Sequence, residues 1–139
     1  MGAVSASRVI PATPAQVWEV LGGFNGLAEW LPLIAESSAE AGGRVRRLTT
    51  GDGAVITERM EHFSEKQREY SYSFVESPFA VDGYYATIRV HDVSGDPNSA
   101  EVHWSGRWHE TGMSESEATE LFTGIYEGGL EALHKALTS

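Results

Sequence analysis

Glu58 stands in the run Ala54-Val55-Ile56-Thr57-Glu58-Arg59-Met60-Glu61-His62. Strand alternation puts its carboxyl on one face with Ile56, Met60 and His62. A carboxylate on an apolar face is costly unless it is paired or reaches a wet cavity. The pattern therefore predicts a sheet that encloses a hollow, with an acid pointing into it. Two kinds of chemistry suit such a group. Desolvation raises the pKa of a buried carboxyl, which would make Glu58 a general acid or base near neutral pH. Alternatively, Glu58 is a polar anchor that hydrogen-bonds a ligand, Tyr72 or a buried water. The anchor is the better supported role, because no second catalytic group is evident in the sequence.

By the same parity, Tyr70, Tyr72 and Tyr84 face inward, each with an apolar body and a hydroxyl tip. They suit a ligand with a few polar atoms, and equally an ordinary core. Trp104 reads as cavity wall and Trp108 as a residue near the entrance. His62 is the one histidine placed inward, at a strand end near the rim. His91, His103 and His109 read as outward. His103 and His109 are six strand residues apart, about 20 Å, too far to share a metal. No His-Glu-x-x-His run, phosphate loop or nucleophile-elbow serine occurs, so neither a metal nor a cofactor is expected.

These groups sit in a chain of 139 residues, a length suited to one domain spanning 1–139 with its own core. No apolar run approaches the ~20 residues of a membrane-spanning helix, so no integral membrane association is expected. The N-terminus shows no basic start followed by an apolar stretch, the mark of a signal peptide. Cysteine is absent, which excludes disulfides and thiolate metal sites. A cytoplasmic location fits these features. Asp and Glu total 20 against 10 Lys and Arg, for a net charge of −10. Such a surface repels phosphate backbones and makes nucleic acid an unsuitable partner. Nothing in the sequence addresses oligomeric state.

Turn signals divide the chain into seven strands, two short helices after the first strand, and one long C-terminal helix. Val4-Ile10 is followed by a helix from Pro14 to about Leu21, with Thr13 and Gln16 as its capping box. A second helical segment covers Gly26-Trp30. The strands Ile34-Glu40, Arg44-Thr50, Ala54-Phe63, Gln67-Glu76, Tyr84-Val93 and Ala100-Glu110 follow, with short links that favour antiparallel neighbours. Ser114 and Glu117 cap a helix from about Glu115 to Leu137. Its stripe of Phe122, Ile125, Gly129, Leu133 and Leu137 should lie on the sheet. The result is an α+β fold, a curved seven-stranded antiparallel sheet around a long C-terminal helix.

Pairing the last two strands around Asp96 sets Val90 opposite Val102, Ile88 opposite Trp104, Ala86 opposite Gly106 and Tyr84 opposite Trp108. Small Ala86 and Gly106 between large neighbours would leave room inside the sheet. Gly124, Gly128 and Gly129 interrupt the helix, each costing about 1 kcal/mol relative to alanine. Close approach to the sheet or to a bound molecule would offset that cost; fraying or a kink is the other explanation.

The order of elements resembles the helix-grip fold of the START-like (SRPBCC) superfamily. Trp18, Phe24, Trp30-Leu31-Pro32, Gly43 to Leu48, Gly53, Glu58-Arg59-Met60, Tyr70-Ser71-Tyr72, Tyr84 to Val90, Trp104 and Gly129-Leu130 together are similar to the bacterial polyketide cyclase/dehydrase and lipid-transport family. A more distant likeness is to plant abscisic acid receptors. Thr57-Glu58-Arg59-Met60 and Gly83-Tyr84 match segments that carry polar pocket residues there, which implies pocket positions for Glu58 and Tyr84. The receptor's gate loop is not reproduced at Thr50-Gly51-Asp52-Gly53. Ala35 stands near the place of its pocket lysine, so hormone binding is not implied.

Three functional readings follow. The first is a binding module for a small hydrophobic or amphipathic molecule, lipid- or polyketide-like, held between sheet and helix. Glu58, Tyr72 and Tyr84 would orient it. Ile56, Met60, Phe74, Ile88 and Trp104 on the strands, with Phe122, Ile125 and Tyr126 on the helix, would supply apolar contact. Loops Gly51-Gly53 and Pro78-Gly83 would border the mouth. The second is a polyketide aromatase/cyclase-dehydratase, in which Glu58 and a tyrosine move protons during ring closure. The third, a protein-interaction domain, is the weakest, because the outer sheet face is dispersed polar rather than an apolar patch.

Overall fold

The computed structural model describes residues 1–138. Strand β1 (Gly2–Ile10) leads into α1 (Pro14–Leu21) and a 3-10 segment, Phe24–Glu29. Then come β2 (Ile34–Glu40), a short 3-10 turn at Ala41–Gly43, β3 (Val45–Thr50), β4 (Val55–Ser64) and β5 (Glu69–Glu76). The chain finishes with β6 (Val81–Val93), β7 (Asp96–Glu110) and α2 (Glu115–Thr138). All seven strands form one antiparallel sheet in the order β1-β7-β6-β5-β4-β3-β2. None of the described helices is long and apolar enough to cross a membrane.

Local sequence accounts for the helix ends. The Thr13 hydroxyl accepts from the Gln16 amide, and the Gln16 side chain accepts from the Thr13 N–H. Ser114 and Glu117 repeat this box at the start of α2. Each box satisfies two N–H groups that a helix start leaves without partners. Helix α2 lies across β1 and β7. Its fully buried residues are Ala118, Phe122, Tyr126, Gly129, Leu130 and Leu133, whereas Ile125 and Leu137 are only partly covered. The buried stripe is thus rotated slightly from the expected one, toward Tyr126 and Leu130.

The register of β6 and β7 matches the parity reading at Val90–Val102, Ile88–Trp104 and Ala86–Gly106. Tyr84 departs from it. The ladder shifts between Asp82 and Tyr85, where Gly83 adopts a φ of +61°, and Tyr84 leaves the regular pairing with Trp108. The hairpin also turns earlier than expected, with Val93 opposite Asp96.

A second irregularity corrects the placement of His62. Met60 pairs with Tyr72 but His62 pairs with Ser71, so Glu61 is an extra residue on β4. A bulge of this kind flips the side chains beyond it to the other face. His62 consequently points outward, with its side chain 48% exposed and near Glu69. Phe63 takes the inward place and packs against Trp18 and Tyr70.

Candidate functional site

Glu58 on β4 is 5% exposed. It lies directly opposite Arg46 on β3, which is 1% exposed. Alternation along Val45–Thr50 places Arg46 and Leu48 on the inner face. Arg46 Nε donates to Glu58 Oε1 at 2.8 Å, and Nη2 stands 2.7 Å from the same oxygen. Nη1 donates to the Phe24 carbonyl at 2.7 Å and lies 3.5 Å from the Tyr70 hydroxyl. The guanidinium sits 4.1 Å from the Phe24 ring centre and 4.9 Å from that of Tyr72. Arg46 is thereby held by a carboxylate, a carbonyl and an aromatic cage, a form of satisfaction suited to a guanidinium taken out of water.

Glu58 is left half satisfied. Its Oε2 accepts no hydrogen bond from the described residues, yet it is not among the sealed, unpartnered atoms. That oxygen therefore borders the cavity that Glu58 helps to line. Burial pushes the carboxyl above the ordinary carboxylate range, against the opposing pull of Arg46. The guanidinium stays charged, because the Glu58 charge offsets its own burial.

The cavity has a volume of about 40 Å³, room for about one water. Its walls include Ile56, Tyr72, Phe74, Tyr84, Trp104, Phe122 and Ile125, all expected from the sequence. Leu27, Leu31, Leu33, Ile34, Arg46, Leu48 and Phe79 complete it. The strand residues among these additions follow alternation; Leu27, Leu31, Leu33 and Phe79 lie outside the strands, where no periodicity marks them. Met60, Ile88, Trp108 and Tyr126 are not among the walls. Met60 is half-buried, and Ile88 is in the core beside Tyr70 and Trp104. Trp108 is fully buried rather than at an entrance, packed on Phe122 with its indole N–H donating to Glu110. Loop Gly51–Gly53 is exposed and does not reach the cavity, whereas Phe79 of the Pro78–Gly83 loop does.

The hollow is small because aromatic side chains fill it. The space expected at Gly106 is occupied by Tyr126, whose hydroxyl would collide with any Cβ there. Tyr126 also stacks on Trp104 at 4.9 Å. The hydroxyls of Tyr84 and Tyr126 hydrogen-bond each other, and Trp104 Nε1 donates to the Tyr72 hydroxyl at 3.0 Å. Phe74 stacks on Tyr84 with centroids 3.9 Å apart. Burial raises the phenol pKa values of Tyr72, Tyr84 and Tyr126 above the ordinary value. These phenols can donate or accept hydrogen bonds and are poor sources of phenolate. Among the described residues no group of three or more His, Asp or Glu is arranged to hold a metal.

No curated protein matches the sequence of this chain. Among solved structures, the protein XoxI from Bacillus cereus is 44% identical, with 99% of this chain and 96% of that one covered and a TM-score of 0.95. An uncharacterised protein from Bacillus thuringiensis is 41% identical, with 99% and 100% covered and a TM-score of 0.96. The Zhui aromatase/cyclase from Streptomyces sp. R1128 is 19% identical, covers 97% of this chain and 90% of its own, and has a TM-score of 0.76. That last likeness speaks to fold alone. A START superfamily protein from Mycobacterium smegmatis, 14% identical with a TM-score of 0.82 over 99% of this chain and 97% of that one, shares the architecture of sheet and long helix. The family model described as polyketide cyclase/dehydrase and lipid transport matches residues 1–138, and the chain belongs to that family, with the helix-grip fold of the START superfamily.

Proposed function

We propose that this protein binds a small hydrophobic or amphipathic molecule whose polar end carries a hydrogen-bond donor, with Glu58 as the anchor for that end. The observation that carries the reading is Glu58 Oε2, an oxygen of a 5% exposed residue that has no protein partner and borders a mostly apolar cavity. Arg46 already directs four of its five N–H groups to Glu58, Phe24 and Tyr70, which leaves it at most one for an incoming anion. A carboxylate brought to Oε2 would meet like charge in a low-dielectric site. A hydroxyl or amine would meet an acceptor. The rings of Tyr72, Phe74 and Trp104 offer apolar contact around it.

The competing reading is an aromatase/cyclase-dehydratase with Glu58 as general acid or base. The raised pKa of Glu58 favours it. The geometry favours the anchor. Arg46 holds the carboxyl in one orientation through two donors on a single oxygen, and the neighbouring phenols hold their protons tightly.

Competition against the fluorescent amine N-phenyl-1-naphthylamine tests the reading. Dodecanol should displace the probe about tenfold better than dodecanoate, a difference of ~1.4 kcal/mol. Equal or better displacement by dodecanoate overturns the assignment of Glu58 as a donor-selective anchor. Turnover of a polyketone thioester by wild type, abolished in a Glu58→Gln protein whose circular dichroism shows it still folded, would favour the enzyme instead.

A further inference from the structure

A groove of about 530 Å³ runs along the outer side of α2. The inner cavity of about 40 Å³ is far below the ~300–1,000 Å³ of small-molecule sites, and the groove falls within that range. The two are separated by a shared wall of Leu31, Leu33 and Ile125. Leu33 is 44% exposed and Ile125 is half-buried, so both side chains have space on their outer side. The opposite walls do not have this freedom. Arg46 is hydrogen-bonded to Glu58 and Trp104 to Tyr72, on strands fixed in the sheet.

The glycines of α2 fall into two kinds. A Cβ at Gly129 would lie 2.5 Å from the Trp104 ring, so close packing on the sheet requires that glycine. A Cβ at Gly124 or Gly128 would meet nothing within 4 Å. Both residues line the outer groove, and packing on the protein does not account for them. On the inner side of the shared wall lies the unpartnered Oε2 of nine-tenths-buried Glu58.

We propose that the inner cavity and the outer groove are two halves of one ligand site, joined when Leu33 and Ile125 swing outward, and that the apolar chain of the molecule anchored at Glu58 lies along α2 over Gly124 and Gly128. This rests on the anchor reading above and adds where the rest of the ligand goes. Its occupant is a single elongated molecule with a hydroxyl or amine at one end. Glycine at 124 and 128 keeps the helix surface low enough for a chain to lie flat against it. Glu131 and Lys135, paired at 3.2 Å, form a polar stop at the far end of the groove.

Titration with N-phenyl-1-naphthylamine, followed by its fluorescence, tests the proposal on wild type, Gly128→Leu and Ile56→Phe. Gly128→Leu fills the groove and places a better helix former in α2; Ala132→Leu is the second groove variant should that one fail to fold. Ile56→Phe fills the inner cavity, with Leu48→Phe as its substitute. The expected result is micromolar binding by wild type, weakened at least tenfold by a groove variant and at least tenfold by an inner variant. Binding lost with an inner variant but unchanged by Gly128→Leu and Ala132→Leu overturns the joined site and leaves the anchor reading standing. Binding lost with a groove variant but unchanged by both inner variants overturns both, since the probe would then sit only on the surface. Failure of wild type to bind overturns the anchor reading and this inference with it.

Discussion

Arg46 and Glu58 face each other across β3 and β4, and two guanidinium nitrogens close on a single carboxylate oxygen at 2.8 and 2.7 Å. The ion pair is buried at the wall of the cavity, and the second oxygen remains open to it. One interaction therefore both neutralises a buried charge and presents an acceptor to whatever enters.

Removing either partner leaves an uncompensated charge out of water. Arg46→Met and Glu58→Leu should each lower stability by about 3–5 kcal/mol. The double variant Arg46→Met/Glu58→Leu should recover most of that loss, because apolar residues of similar volume can replace a buried pair at little net cost. Urea denaturation of the four proteins checks this. Single-variant losses that simply add in the double variant would show that the pair is not coupled.

A second coupling joins Gly106 and Tyr126. Gly106→Ala should destabilise by about 1–3 kcal/mol, since its methyl group collides with the Tyr126 hydroxyl in a filled core. Tyr126→Phe removes the colliding oxygen but also leaves the Tyr84 hydroxyl without its partner. The cost of Gly106→Ala should therefore be smaller in a Tyr126→Phe background, by ~1 kcal/mol or more in a double-mutant cycle. An identical cost in both backgrounds would place the strain elsewhere.

Sequence periodicity located Glu58, the inner tyrosines and Trp104, because alternation survives wherever the ladder is regular. It misplaced His62, because the extra residue at Glu61 reverses the faces and composition carries no mark of it. Arg46 was missed for a different reason. Its inward position follows from alternation with Leu48, but its meeting with Glu58 depends on the register between β3 and β4, which the sequence does not state. The size of the hollow was also beyond periodicity. Small residues at Ala86 and Gly106 signal space, and only three-dimensional packing shows that Tyr126 occupies it. Leu31, Leu33 and Phe79 reach the cavity from irregular segments, where no repeat points to a face.

The buried phenols set the alkaline limit of the fold. Burial holds the pKa values of Tyr72, Tyr84 and Tyr126 above that of an exposed tyrosine, ~10. A proton bound more tightly in the folded state gives stability that is complete below the unfolded pKa. That stability is lost as pH rises past it toward the folded value. Each such group adds a slope of about 1.4 kcal/mol per pH unit above pH ~10. Stability measured by urea titration from pH 9 to 11.5 should fall steeply above 10, and in Tyr84→Phe the slope should be shallower by about one such increment. An unchanged slope would mean that Tyr84 ionises freely in the folded protein.

The α2 glycines allow the fold and the groove to be tested separately. Alanine at Gly124 or Gly128 adds a methyl group that touches nothing, so each substitution should gain about 0.5–1 kcal/mol from helix propensity. Alanine at Gly129 carries the same propensity gain but drives its methyl into the Trp104 ring and toward Leu31, both deep in the core. Trp104 cannot retreat easily, since its indole N–H is bonded to Tyr72 and its ring is stacked on Tyr126. Gly129→Ala should thus be net destabilising, and thermal melts should place it below wild type while the other two rise above it. A fall in melting temperature for Gly124→Ala and Gly128→Ala as well would mean that those positions are held by packing within the protein, which would remove the reason to read the groove surface as shaped for a bound chain.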